Sequence, residues 1–150
     1  VNYLVQHPEV LAQPGYEAAL SPTEPPVQES ITILLVDDNA RYRRQLRQMI
    51  GKVCPRAAIY EAEDSAEALQ LTQRITPQLV LIDVVLGEED GIRCALRLKA
   101  ASPSSRIVMI SAYPDREFHR LGLEAGAVAF LDKKDLEAAS LRQILNDVVT

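Results

Sequence analysis

This 150-residue chain has no tryptophan, only two phenylalanines, two histidines and two cysteines, and no apolar run near the roughly 18 residues that a membrane span requires. Each scarcity removes a class of protein. Cys54 and Cys94 are too few and too far apart for a zinc spacing or a redox pair, and His7 and His119 stand without companion ligands. Both thiols read as isolated: Cys94 partly buried, one helical step from an apolar stripe, and Cys54 at a helix exit before Pro55. Excess positive charge is also missing. Sixteen Lys and Arg against 21 Asp and Glu give a formal charge of −5, which argues against direct nucleic-acid contact, since phosphate binding needs a concentrated basic surface. No charged-then-apolar leader opens the sequence, so a soluble, cytoplasmic protein without membrane contact is expected. The first residue is Val, as expected of a processed product or an excised part of a longer protein.

What is present divides into two parts. Residues 1–30 carry Pro8, Pro14, Pro22, Pro25 and Pro26 and no sustained hydrophobic period, the composition of an arm or linker. Within it, EVLAQPGYEAAL has the makings of a short helix but is interrupted by Pro14 and Gly15. Residues 31–150 read as one domain, because 47% hydrophobic content in a chain of this length suffices for a single core. Short β-branched runs predict strands at about 32–36, 57–62, 79–83, 106–111 and 127–131. They alternate with amphipathic stretches at about 40–52, 65–75, 89–101, 115–125 and 135–148. Leu46, Met49, Ile50 and Val53 mark the buried stripe of the first helix, and Leu141, Ile144, Leu145 and Val148 that of the last. Asp64 with Glu67 has the form of a capping box, and Asp115 that of an N-cap. Strict alternation implies an α/β fold, a five-stranded parallel sheet flanked by five helices. The more polar second strand suits an edge, which is compatible with the order 2-1-3-4-5.

The chemistry lies at the strand ends. Asp37 and Asp38 close ITILLVDD, Asp83 closes LVLID, Ser111 closes RIVMIS, and AVAFLDKK delivers Lys133. In open parallel sheets, ligands collect at the carboxyl edge of the strands. The loop Asp37-Asp38-Asn39-Ala40 puts two negative charges where a flavin- or nucleotide-phosphate site would present backbone amides from Gly, Ser and Thr, so a phosphate would be repelled unless a cation intervened. Oxygen ligands without nearby His or Cys favour Mg2+. Asp83 ends the middle one of the three polar strand ends and is the candidate nucleophile, a carboxylate that would become an aspartyl phosphate. Ser111 offers a donor and Lys133 a point charge to the phosphoryl oxygens. A phosphatase of the haloacid dehalogenase kind would need a second carboxylate two residues after Asp83, where Val85 stands, so rapid turnover of a separate substrate is not expected.

The motifs LLVDDN, LVLIDVVLGEEDG, VMISAY and AGAVAFLDKKD, in this order and spacing, resemble the receiver domain of two-component response regulators over about 31–149. That resemblance implies that Asp83 is the phosphoacceptor, that Asp38 and the backbone carbonyl of Val85 join it on Mg2+, and that Asp37 supports the ion through water. It implies further that Ser111 and Lys133 contact the phosphoryl group, and that Ser111 and Phe130 form a switch acting on the fourth helix, fifth strand and fifth helix. The donor would be a histidine kinase or a histidine phosphotransfer protein. Gly87 stands where the family often has Pro, which is expected to loosen that turn, and Val85 with Tyr113 would shield the acyl phosphate from water. The basic set Arg41, Arg43, Arg44, Arg47, Lys52 and Arg56 is a solvated helix face in the plain reading and a docking face for an acidic donor in the functional one. Homodimerisation would use the fourth-helix to fifth-helix face, where Arg116, Arg120, Asp132, Asp135 and Glu137 offer both signs of charge. The ending FLDKKDLEAASLRQIL resembles receivers that precede a helix-turn-helix DNA-binding domain. A constitutive dimerisation module on the same fold is the rival function.

Overall fold

Runs of Ile, Leu, Val and Met form the sheet in a computed structural model of the chain, which describes residues 26–113 and 115–149. The strands are β1 (Thr32–Val36), β2 (Ala58–Ala62), β3 (Leu79–Asp83), β4 (Arg106–Ser111) and β5 (Ala127–Asp132), all parallel in the order β2-β1-β3-β4-β5. Between and after them run α1 (Ala40–Val53), α2 (Ser65–Ile75), α3 (Gly91–Ala101), α4 (Arg116–Glu124) and α5 (Ala138–Val149). The expected order holds, and β2, exposed at Ala58 and Tyr60, is the edge strand its polarity implies. The stretch EVLAQPGYEAAL, with the makings of a short helix, lies outside the described residues.

Period-two alternation divides the core between the two faces of the sheet. Leu34, Val36, Val80, Ile82, Ile107 and Met109 face α2 and α3, where Ala68, Ala95 and Leu98 are buried. Ile33, Leu35, Leu81, Val108 and Ile110 face Leu46, Ile50 and Val53 of α1 and Leu141 and Leu145 of α5. Val27, upstream of the expected boundary at residue 31, is also buried in this second cluster, and its amide donates to the Val53 carbonyl at 2.7 Å. Both cysteines are buried and free, Cys94 more completely than expected.

Two helix starts differ from the sequence reading, each for a local reason. The third begins at Gly91 rather than 89 because Val85–Leu86 and Glu89–Asp90 pair as a tiny antiparallel ribbon, after which Asp90 caps the Ile92 amide at 2.8 Å. The last is split: Lys133–Asp135 forms a 3-10 turn capped by Asp132, Leu136 is extended, and α5 starts afresh beyond Glu137, whose amide and carbonyl both bond Ser140 Oγ. The Asp64 cap is as expected, accepting from the Glu67 amide at 2.8 Å, with Glu67 reaching back to the Glu63 amide at 2.9 Å. Asp115 likewise caps α4 through the Glu117 amide.

Candidate functional site: an acidic pocket at the strand ends

Parallel registration brings the polar strand ends to one edge. Val36 pairs with Ile82, so Asp37 and Asp83 leave adjacent central strands side by side. Carboxylate oxygens of Asp37, Asp38 and Asp83 all lie within 4.8 Å of one another. Asp37 and Asp83 are buried, at 1% and 7% exposure, while Asp38 faces solvent. From the far end of β5, Lys133 Nζ reaches 2.8 Å from Asp37 Oδ2 and 2.7 Å from Asp83 Oδ2. Three carboxylates and one ammonium leave a formal excess of two negative charges, which one divalent cation would cancel, and an all-oxygen donor set suits a hard ion.

The pocket is electrostatically tense. Burial pushes the Asp37 carboxyl above the usual range, and the neighbouring Asp83 adds to this, against hydrogen bonds from Lys133 and the Asn39 amide. Burial alone would lower the Lys133 pKa, but its bonds to Asp37 and Asp83 outweigh that and hold the ammonium more firmly charged than usual. Lys133 is a charged member of the cluster, since two carboxylates grip it at hydrogen-bond distance.

Backbone contacts fix the remaining geometry. Asn39 donates its amide to Asp37 Oδ1 at 2.9 Å and caps α1 by accepting from the Tyr42 amide at 3.0 Å. The Val85 amide donates to Asp83 Oδ1 at 3.0 Å. Gly87 has φ +61°, with Gly at the first central position and no left-handed residue at the second, as in a II′ hairpin turn. Its α-hydrogen side faces Asp38, since a Cβ there would sit 3.4 Å from Asp38 Oδ2. The turn takes a conformation closed to proline, whose φ is fixed near −65°, which accounts for Gly rather than Pro at this position. Gly91 has a different constraint. A Cβ there would overlap the Asp83 carbonyl oxygen and lie 2.7 Å from that of Val84.

Ser111 and Phe130 are engaged elsewhere. The Ser111 hydroxyl donates to the Tyr113 carbonyl at 2.9 Å and accepts from the Tyr113 amide at 3.0 Å. Phe130 is half-buried, stacked on His119 with centroids 5.2 Å apart, and lies over Gly122. Val85 and Tyr113 are 46% and 75% exposed, so neither is packed down as a lid. A cleft of about 670 Å3 between α4 and β5 is lined by His119, Arg120, Leu123, Phe130, Asp132 and Asp135. Arg120 is engaged by Glu117 and Glu124 of its own helix, and Asp132 pairs with Lys134 at 3.6 Å.

The basic first helix is only partly a free face. Arg43 and Arg47 each bond Glu61 of β2 at 2.8 Å, Arg43 also donates to the Asp37 carbonyl, and Arg47 donates to that of Ile59. Reading Arg43 and Arg47 as solvated missed this clamp. Its signal was the lone acid Glu61, placed by parallel pairing opposite Leu35, just short of the acidic loop.

The family model of the response regulator receiver domain matches residues 33–146. The nitrate/nitrite response regulator protein NarL of Escherichia coli K12 is 30% identical over 79% of this chain and 55% of its own length. The chemotaxis protein CheY of Halobacterium salinarum is 29% identical over 79% of this chain and 96% of its own. A crystal structure of a LuxR-family two-component response regulator from Aurantimonas is similar with TM-score 0.71 and 27% identity, covering 80% of this chain and 85% of that one. The chain spans 19% to 55% of the length of the first curated relatives it matches.

Proposed function

This chain belongs to the response regulator receiver domain family, and from that premise we propose that it is a phosphorylatable switch taking a phosphoryl group onto Asp83. The observation that carries the reading is the buried Asp83 carboxylate, flanked within 4.8 Å by Asp37 and Asp38 oxygens and held 2.7 Å from Lys133. A phosphohistidine on a histidine kinase or phosphotransfer protein is the donor. An Asp83 oxygen forms the new P–O bond while the P–N bond breaks, and the imidazole leaves with that electron pair. Asp37, Asp38, Asp83 and the Val85 carbonyl are the groups that would hold Mg2+, which supplies charge neutralisation at the phosphoryl oxygens. Lys133, already at Asp83, balances the remaining charge.

Readout follows from Ser111. Its hydroxyl exchanges the Tyr113 peptide for a phosphoryl oxygen, the β4–α4 loop follows, and Phe130 repacks against α4. The α4-β5-α5 face then engages a second copy, a partner or an attached output domain, such as a DNA-binding one. The domain itself makes no nucleic-acid contact, and the Pro-rich segment before it serves as a linker. It acts in the cytoplasm as a phosphoacceptor, with no substrate other than itself. Among the described residues no helix is long and apolar enough to cross a membrane.

Intact mass after incubation with Mg2+ and a small acyl-phosphate donor tests this, with size exclusion on beryllofluoride-treated samples. A phosphate adduct in wild type and none in Asp83→Asn is the expected outcome. Wild type without an adduct, given either the small donor or a phosphohistidine protein, would sink the reading in favour of a constitutive module.

A further inference from the structure

Lys133 has a third partner besides the two carboxylates. The ring of Tyr42, on the first turn of α1, lies under its ammonium, with Nζ 4.1 Å from the ring centroid. Tyr42 is fixed from two directions: its amide is bonded to the Asn39 cap, and its side chain packs against the core cluster of α1 and α5. The ammonium is mostly enclosed, its side chain 16% exposed, which places the contact in the desolvated regime where a cation over an aromatic face is worth most.

The two carboxylates are unreliable anchors through a reaction cycle. Both belong to the cluster that would face a cation, and Asp83 loses its negative oxygen when it becomes an acyl phosphate. The aromatic face has no such second use. We propose that Tyr42 is a positioning residue for Lys133, its ring holding the ammonium at the reacting edge when Asp37 and Asp83 turn to cation and phosphoryl group. The consequence for phosphorylation rests on the phosphoacceptor reading; the contact itself does not. Burial chiefly pushes the Tyr42 phenol up to about 12, so the ring stays neutral and adds no further anion to the pocket.

The test compares Tyr42→Phe, which keeps the ring, with Tyr42→Leu, which keeps apolar bulk and drops the aromatic face. Tyr42→Met serves if the Leu variant does not fold. Two quantities are read: the NMR shift of the Lys133 ε-methylene, moved upfield by a ring beneath it, and the rate of phosphorylation by a small donor with Mg2+. The Phe variant is expected to match wild type in both. The Leu variant is expected to lose the upfield shift and react roughly two- to thirty-fold more slowly, at similar melting temperature. A Leu variant phosphorylated at the wild-type rate would overturn the proposal. If wild type takes no phosphoryl group at all, the phosphoacceptor reading fails, and the NMR shift alone decides the contact: present in wild type and Phe but lost in Leu supports it, absent in wild type overturns it.

Discussion

The two halves of the carboxyl edge are built differently. On the β1–β3 side every residue of β3 is buried, the acidic loop is bonded through Asn39, Arg43 and Lys133, and the ribbon after Asp83 is tied to α2 by Glu89, which accepts from the Ser65 amide and hydroxyl at 3.0 and 2.6 Å. On the α4–β5 side the only buried residue of α4 is Gly122, and β5 is half-buried along most of its length. Its key contacts, His119 on Phe130 and Ser111 on Tyr113, are a stack of an exposed ring on a half-buried one and a single hydroxyl. The proposed chemistry, which needs fixed distances, would thus sit where hydrogen bonds over-determine position, and the proposed readout where few buried contacts resist rearrangement.

Gly91→Ala breaks the rigid half most severely. The added methyl meets two backbone carbonyls, of Asp83 and Val84, rather than a side chain that can swing away. The Gly91 amide also donates to Val84 at 2.7 Å, so the helix start cannot retreat without losing that bond. A destabilisation of about 3 kcal/mol is expected, with loss of divalent-cation affinity in whatever remains folded. Urea denaturation and Mg2+ titration measure the two effects. A stability loss below about 1 kcal/mol would mean that the end of β3 is soft too.

A milder assault comes from outside the pocket, through Glu61. Burial pushes its carboxyl up, but the hydrogen bonds from Arg43 and Arg47 outweigh this, and its pKa lies below the ordinary glutamate value. With a depressed folded pKa, the stabilisation is full above the unfolded value and lost as pH falls through the folded one. Glu61→Gln should therefore cost about 1 kcal/mol at neutral pH, a modest figure because Arg47 is nearly half exposed, and the deficit should shrink as pH falls below the ordinary glutamate range. Denaturation midpoints of both proteins across that range check it. A deficit that does not change with pH would show that packing, not the ion pairs, carries Glu61.

The same contrast explains what the sequence disclosed. Parallel strands buried on both faces are continuous Ile, Leu and Val runs, so β1, β3 and β4 and the order of the sheet were legible, as were Asp37, Asp38, Asp83 and Lys133 at their ends. Local pattern holds no record of what a side chain meets across the fold. Tyr42 under Lys133 spans 91 positions, and Arg43 to Glu61 crosses from helix to edge strand, so one went unremarked and the other was read as solvated surface. Gly87 and Gly91 are alike as letters. One is required by its left-handed φ and the other by a carbonyl against its α-carbon, a difference only the backbone path reveals.

Gly122→Ala sharpens the comparison from the soft side. A Cβ there would come 3.2 Å from Phe130 Cδ2 and 3.3 Å from Met109 Cγ, tight contacts that a few tenths of an ångström relieve. Phe130 can give way, because it is half-buried and backed by the exposed His119. Replacing a helical glycine by alanine also gains roughly 1 kcal/mol of helix propensity, which opposes the crowding. The net change in stability is expected to lie within about 1 kcal/mol of zero. The displaced ring should register as shifts in the Phe130 and His119 resonances, and amide exchange in α4 should remain faster than in β1 and β3. A loss comparable to that of Gly91→Ala would place Phe130 in a packing site as unyielding as the end of β3, and a rotamer switch there would then lack the compliance it needs.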